Sequence, residues 1–104
     1  MTHQATKVSI IAERIIQRDI TRIVEEEGAK GYTVYEGDGK GQTSHIHSDR
    51  HSVLRDFTIV KVETITGNRE IADKIADRIA DELFDRYPGI VYLEAVEVLR
   101  AAKF

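Results

Sequence analysis

The chain has 104 residues, the size of one domain, with 41% hydrophobic residues, 32% charged residues and a formal net charge of -3. Acids and bases are interspersed, which argues against the basic face of a dedicated nucleic-acid binder. Cysteine is absent, which excludes disulfides, thiol chemistry and cysteine-held zinc.

Residues 1–7 are polar and lack the apolar centre of a signal peptide. No apolar run approaches the roughly 20 residues that span a bilayer, so a cytoplasmic location is expected. Residues 7–12 read KVSIIA, short and β-branched, which predicts a first strand. Ile16, Ile20, Ile23 and Val24 then recur at helical spacing, and Gly28 is a natural helix stop. The acidic run Glu25, Glu26, Glu27 opposes the helix dipole and reads as a solvated helix end.

Residues 31–36, GYTVYE, predict a second strand. The pattern then breaks: residues 37–53 carry Gly37, Gly39 and Gly41, three histidines and almost no large apolar residue. A structureless stretch of this length is unusual inside a small domain and is often functional when it occurs. Residues 54–66 resume as a long third strand. Asn68 is placed as an N-cap, with Ile71, Ile75, Ile79 and Leu83 at helical spacing behind it. Pro88 and Gly89 close that helix, 90–93 form a fourth strand, and 94–99 are read as a short fifth element.

The order is βαββαβ, an α+β ferredoxin-like sandwich with a long loop between strands 2 and 3. Both helices should cover one sheet face. Ile10-Ile11, Ile59-Val60 and Ile90-Val91 place apolar residues on both faces, as in strands buried on both sides. A single small domain has no second layer for the other face, so a homo-oligomer is expected.

For catalysis the sequence offers neither a nucleophile elbow nor a Walker phosphate loop. Ser44, Ser48 and Ser52 lie near His45, His47 and His51, but a triad needs a base fixed by a third group. The expectation is a non-enzyme. The three histidines could supply imidazoles to a divalent metal, although a solvated, titrating loop explains them more simply, and no metal site is assigned. Gly37, Gly39 and Gly41 can aim backbone N–H groups at an anion, with Lys40 among them and Arg50 and Arg55 at the far end. The Pro88-Gly89-Ile90 turn reads either as close approach to a ligand or as plain helix termination.

Taken together, KVSIIA, the segment Gly28-Ala29-Lys30-Gly31-Tyr32-Thr33-Val34, the glycine-bearing loop, Thr66-Gly67-Asn68-Arg69-Glu70 and Asp85-Arg86-Tyr87-Pro88-Gly89-Ile90-Val91-Tyr92 resemble the PII-like signalling proteins of the SbtB and carboxysome-associated type. That resemblance runs over about residues 7–99 and implies a single domain forming a homotrimer, with nucleotide sites in the clefts between protomers. It implies adenine nucleotides (AMP, ADP, ATP or cyclic AMP) as ligands, bicarbonate as a companion, and no resident cofactor. The loop at about 37–54 corresponds to the family's T-loop and the turn at 87–90 to its B-loop. Gly31, Tyr32, Thr33 and Val34 would flank the adenine, Gly89, Ile90 and Val91 would offer backbone groups, and Gly39, Lys40 and Gly41 would lie beside the phosphates. Arg50 and Arg55, assigned on charge, would hold phosphate or bicarbonate. A bicarbonate transporter or a carbon-fixation protein is the implied partner. The second reading is a divalent-metal-responsive trimer using His45, His47 and His51.

Overall fold

In the computed structural model, which describes residues 1–38 and 58–99, the chain forms β1 (His3–Glu13), a 3-10 turn (Arg14–Ile16), α1 (Gln17–Glu26), β2 (Thr33–Asp38), β3 (Thr58–Thr66), α2 (Arg69–Glu82) and β4 (Gly89–Val98). The sheet order is β2-β3-β1-β4, and every neighbouring pair is antiparallel. This is the expected ferredoxin-like arrangement. Each helix carries the chain from one strand to another two places across the sheet.

Several boundaries differ from the expectation; β2 begins at Thr33 rather than at residue 31, and β4 at Gly89 rather than at residue 90. β1 begins four residues before Lys7, because β4 pairs with it from His3 onward. β2 continues to Asp38, two residues into the expected loop, where Gly37 and Asp38 still face Ile59 and Thr58. The separate fifth element does not exist: residues 94–98 continue β4, since Glu94, Ala95, Val96, Glu97 and Val98 all stay in register with β1.

Both helices cover one face of the sheet. Val8, Ile10 and Ala12 of β1 and Val62 of β3 meet Ile20, Ile23 and Val24 of α1 and Ala72, Ile75 and Ile79 of α2 in one buried cluster. Ile10, Ile16, Ile20, Ile23, Ile75 and Ile79 are fully buried. Each such side chain contributes roughly 1.5–3 kcal/mol. Exposed ion pairs contribute about 0–1 kcal/mol each. The core therefore decides the fold, and the surface charges tune it.

Local chemistry fixes the ends of the elements. Gly28 has a φ of 98°, the left-handed conformation that side chains avoid. The Gly28 N–H donates to the Glu25 carbonyl at 3.0 Å and the Ala29 N–H to the Val24 carbonyl at 3.3 Å, a Schellman stop for α1. At the start of α2 the Asn68 side chain accepts from the Glu70 N–H at 2.8 Å, the predicted cap. The acidic end of α1 is not simply solvated. Arg78 of α2 donates to Glu26 and Glu27 at 3.0 Å each, and to Glu82 at 2.7 Å. That clasp offsets the unfavourable dipole contact and ties the two helices together.

Candidate functional site

The second face of the sheet has no covering layer among the described residues. Strand pleating places Ser9, Ile11, Tyr35, Lys61, Glu63, Ile90, Tyr92 and Glu94 on it, opposite the core. Ile90 is 60% exposed and Tyr35 50% exposed, which is high for large apolar groups on a sheet. The Ser9 hydroxyl, buried in the middle of this face, has no hydrogen-bond partner among the described residues.

One row runs across all four strands: Tyr35, Lys61, Ile11 and Ile90 sit opposite one another in register. Around it lies a depression of about 230 Å³ lined by Ile11, Tyr35, Glu36, Gly37, Asp38, Ile59 and Lys61. Its floor is apolar and aromatic, and the Lys61 ammonium stands 5.5 Å from the centre of the Tyr35 ring. Arg14, in the turn after β1, pairs with Glu36 at 3.7 Å and places a guanidinium near where the chain leaves β2. Enclosed small-molecule sites usually measure roughly 300–1,000 Å³, so this depression alone is too small to enclose such a ligand.

The expected ligand residues fall into three places. Gly31, Tyr32, Thr33 and Val34 lead into β2 at one sheet edge, whereas Gly89, Ile90 and Val91 begin β4 at the other. Three inter-strand steps of roughly 4.8 Å separate the edges, about 14 Å. Gly39, Lys40, Gly41, Arg50 and Arg55 lie outside the described residues, as do His45, His47 and His51.

Within the described set, the side chains divide by face. Val34 and Val91 pack against the core cluster, so their backbone, not their side chains, can meet a ligand. The Gly31 carbonyl accepts from the buried Thr64 hydroxyl, which pins the segment ahead of β2. Thr33 and Ile90 face the open side. Gly89 owes its identity to packing: a Cβ there would lie 2.4 Å from the Phe84 ring and 3.0 Å from the Ile11 carbonyl oxygen. Ile11, Tyr35, Ile59 and Lys61 were not among the residues assigned to the site from sequence. The apolar pairs Ile10-Ile11 and Ile59-Val60 carried the signal, because one member of each must leave the core face. No cluster of metal-ligating side chains occurs among the described residues.

The family model for nitrogen regulatory protein P-II matches residues 5–103. The chain belongs to the P-II family. Among solved structures, a PII-like signalling protein from Thermus thermophilus is 29% identical, with a TM-score of 0.79, over 99% of this chain and 97% of that one. CPII from Thiomonas intermedia, bound to ADP, AMP and acetate, is 21% identical with a TM-score of 0.80, over 100% of this chain and 97% of that chain. The same CPII bound to ADP and bicarbonate is 22% identical with a TM-score of 0.79 over the same shares. The family match agrees with the PII-like resemblance read from the sequence.

Proposed function

We propose that this P-II protein is a non-enzymatic sensor that binds an adenine nucleotide in clefts between copies of itself. The observation that carries this is the split of the expected ligand residues between opposite sheet edges. One protomer cannot bring residues 31–34 and 89–91 around a single nucleotide. Two protomers can, by setting the β2 edge of one beside the β4 edge of the next. A closed ring of three such heterologous contacts is the homotrimer that the resemblance implies.

The open row supplies the rest. Gly37 and Ile90 lie at the same end of the sheet, where the chain leaves β2 toward the glycine-bearing loop. An adenine would rest on the apolar floor, while the phosphates extend toward Gly39, Lys40 and Gly41. Arg50 and Arg55 would meet phosphate or bicarbonate through paired donors. Similar CPII structures hold ADP with bicarbonate, which supports both ligand classes for this chain. Ordering a glycine-rich loop costs about 1–2 kcal/mol per fixed residue, which anion contacts at its base offset in part. Nucleotides that order the loop differently would present different surfaces to a partner in the cytoplasm, such as a bicarbonate transporter or a carbon-fixation protein.

Equilibrium binding of ADP to the wild type, Lys40→Ala and Arg50→Ala tests the assignment. Micromolar binding by the wild type and a loss of roughly tenfold or more in each variant is the expected result. Unchanged affinity in both variants would remove them from the site. Zinc binding lost in His47→Ala, without nucleotide binding, would move the reading to a metal-responsive trimer.

A further inference from the structure

Gly28 and Gly89 owe their identity to the fold, the first through a left-handed φ of 98° and the second through the Phe84 ring. Gly31 does not. It has no left-handed φ, and a Cβ placed on it would meet nothing within 4 Å among the described residues. It is exposed, and it leads the chain toward β2. A glycine that neither packing nor φ requires leaves the backbone bare, so that a ligand can come close. It also loses more freedom on ordering than any other residue type. A binding segment built on such a residue needs something to hold it.

The Thr64 hydroxyl supplies the hold. The chain joins β3 at Thr33, opposite Glu63, so residues 31 and 32 stand beyond the ladder. One position further along β3, Thr64 is 2% exposed, and its hydroxyl donates to the Gly31 carbonyl. A side chain thus replaces the backbone pairing that the ladder no longer gives. On the same face of β3, Val62 and Val60 continue the row toward the loop end. A valine at 64 would fill nearly the same space, so the hydroxyl is what distinguishes the residue. Ala29 before the segment and Val34 after it pack against the core cluster. Thr64 grips the arc between them, while Gly31, Tyr32 and Thr33 remain exposed.

We infer that Thr64 is a positioning residue for the nucleotide: it touches no ligand itself and holds the Gly31 backbone in the conformation that the ligand meets. The inference rests on the reading of residues 31–34 as the adenine side of the site proposed above. Without the hydroxyl, the segment spends part of its time in conformations that do not bind. The apparent affinity then falls by the fraction lost. Because the grip acts on the adenine side, AMP and ADP lose affinity by the same factor.

Calorimetric titration of the full chain with AMP and with ADP tests this on the wild type, Thr64→Val, Thr64→Ser and Gly31→Ala. Thr64→Val should raise both dissociation constants about fivefold, the equivalent of one lost hydrogen bond. Thr64→Ser keeps the hydroxyl and should stay within about twofold of the wild type. Melting temperatures measured alongside separate positioning from support. A Thr64→Val chain that melts earlier, yet binds both nucleotides as tightly as the wild type well below its melting temperature, would overturn the inference. So would a loss confined to ADP, which belongs to the phosphate side. Should Thr64→Val fail to fold, Gly31→Ala decides. Its added Cβ has room among the described residues, so the melting temperature should hold while AMP and ADP both bind more weakly. Unchanged affinity in Gly31→Ala would mean that no ligand comes to that backbone, which also overturns the inference. A wild type that binds neither nucleotide at millimolar concentration would overturn the nucleotide reading itself, and the role of Thr64 with it.

Discussion

At the scale of single residues, Gly89 and Phe84 fit one another. The Phe84 ring occupies the space where a Cβ at Gly89 would stand, and the Ile11 carbonyl closes the other side. Gly89→Ala should therefore destabilise the fold by about 1–3 kcal/mol, the usual cost of overpacking. Thermal unfolding of Gly89→Ala, alone and combined with Phe84→Leu, checks this. The combined variant should regain part of the loss, and an unaffected single variant would mean that the ring moves aside freely. The sequence marked this position as interesting without saying why, because the pairing of a glycine with a ring five residues earlier is decided by packing. Asn68 was different: its cap is written locally, in a short polar residue with a helix period behind it.

At the scale of elements, the two helices are held by more than their apolar stripes. Arg78 serves three carboxylates, which hold its guanidinium well above its ordinary value. The Arg78 hydrogen bonds in turn keep the Glu82 carboxyl below the ordinary carboxylate value of 4.5. A lowered folded-state value means that the Glu82 contribution is complete above pH 4.5 and disappears as pH falls through the folded value. The melting temperature of Glu82→Gln should thus lie below that of the wild type at neutral pH, and the gap should close in acid. A gap independent of pH would assign the effect to something other than the ion pair. Sequence reading placed Glu25, Glu26 and Glu27 in solvent because Arg78 is about fifty residues away, and nothing local announces it. The same limit applies to β4. Residues 94–99 read as a separate short element, yet 94–98 belong to β4 because β1 supplies a partner at every position, with Lys7 opposite Glu94.

At the scale of the whole molecule, the hydrophobic pattern was the informative part of the sequence. Helical spacing and β-branched runs specified a split βαββαβ chain, and pairs such as Ile10-Ile11 pointed to a sheet with two apolar faces. Among the described residues, the sheet order β2-β3-β1-β4 leaves one of those faces uncovered, with β2 and β4 at the two edges. Of the candidate site, the apolar pairs that supply Ile11 and Ile59 were visible in the sequence, while their meeting with Tyr35 and Lys61 was not. Those residues come from three strands, and they meet only through register.

The central claim is that one nucleotide touches both edges of the sheet, using two copies of the chain. Amide chemical shifts of the isotopically labelled protein during an ADP titration test it most directly. The account predicts saturation near one ADP per chain at micromolar concentration, with Thr33 and Tyr35 on β2 and Gly89 and Ile90 on β4 shifting together. Shifts confined to one edge, or none at millimolar ADP, would contradict it.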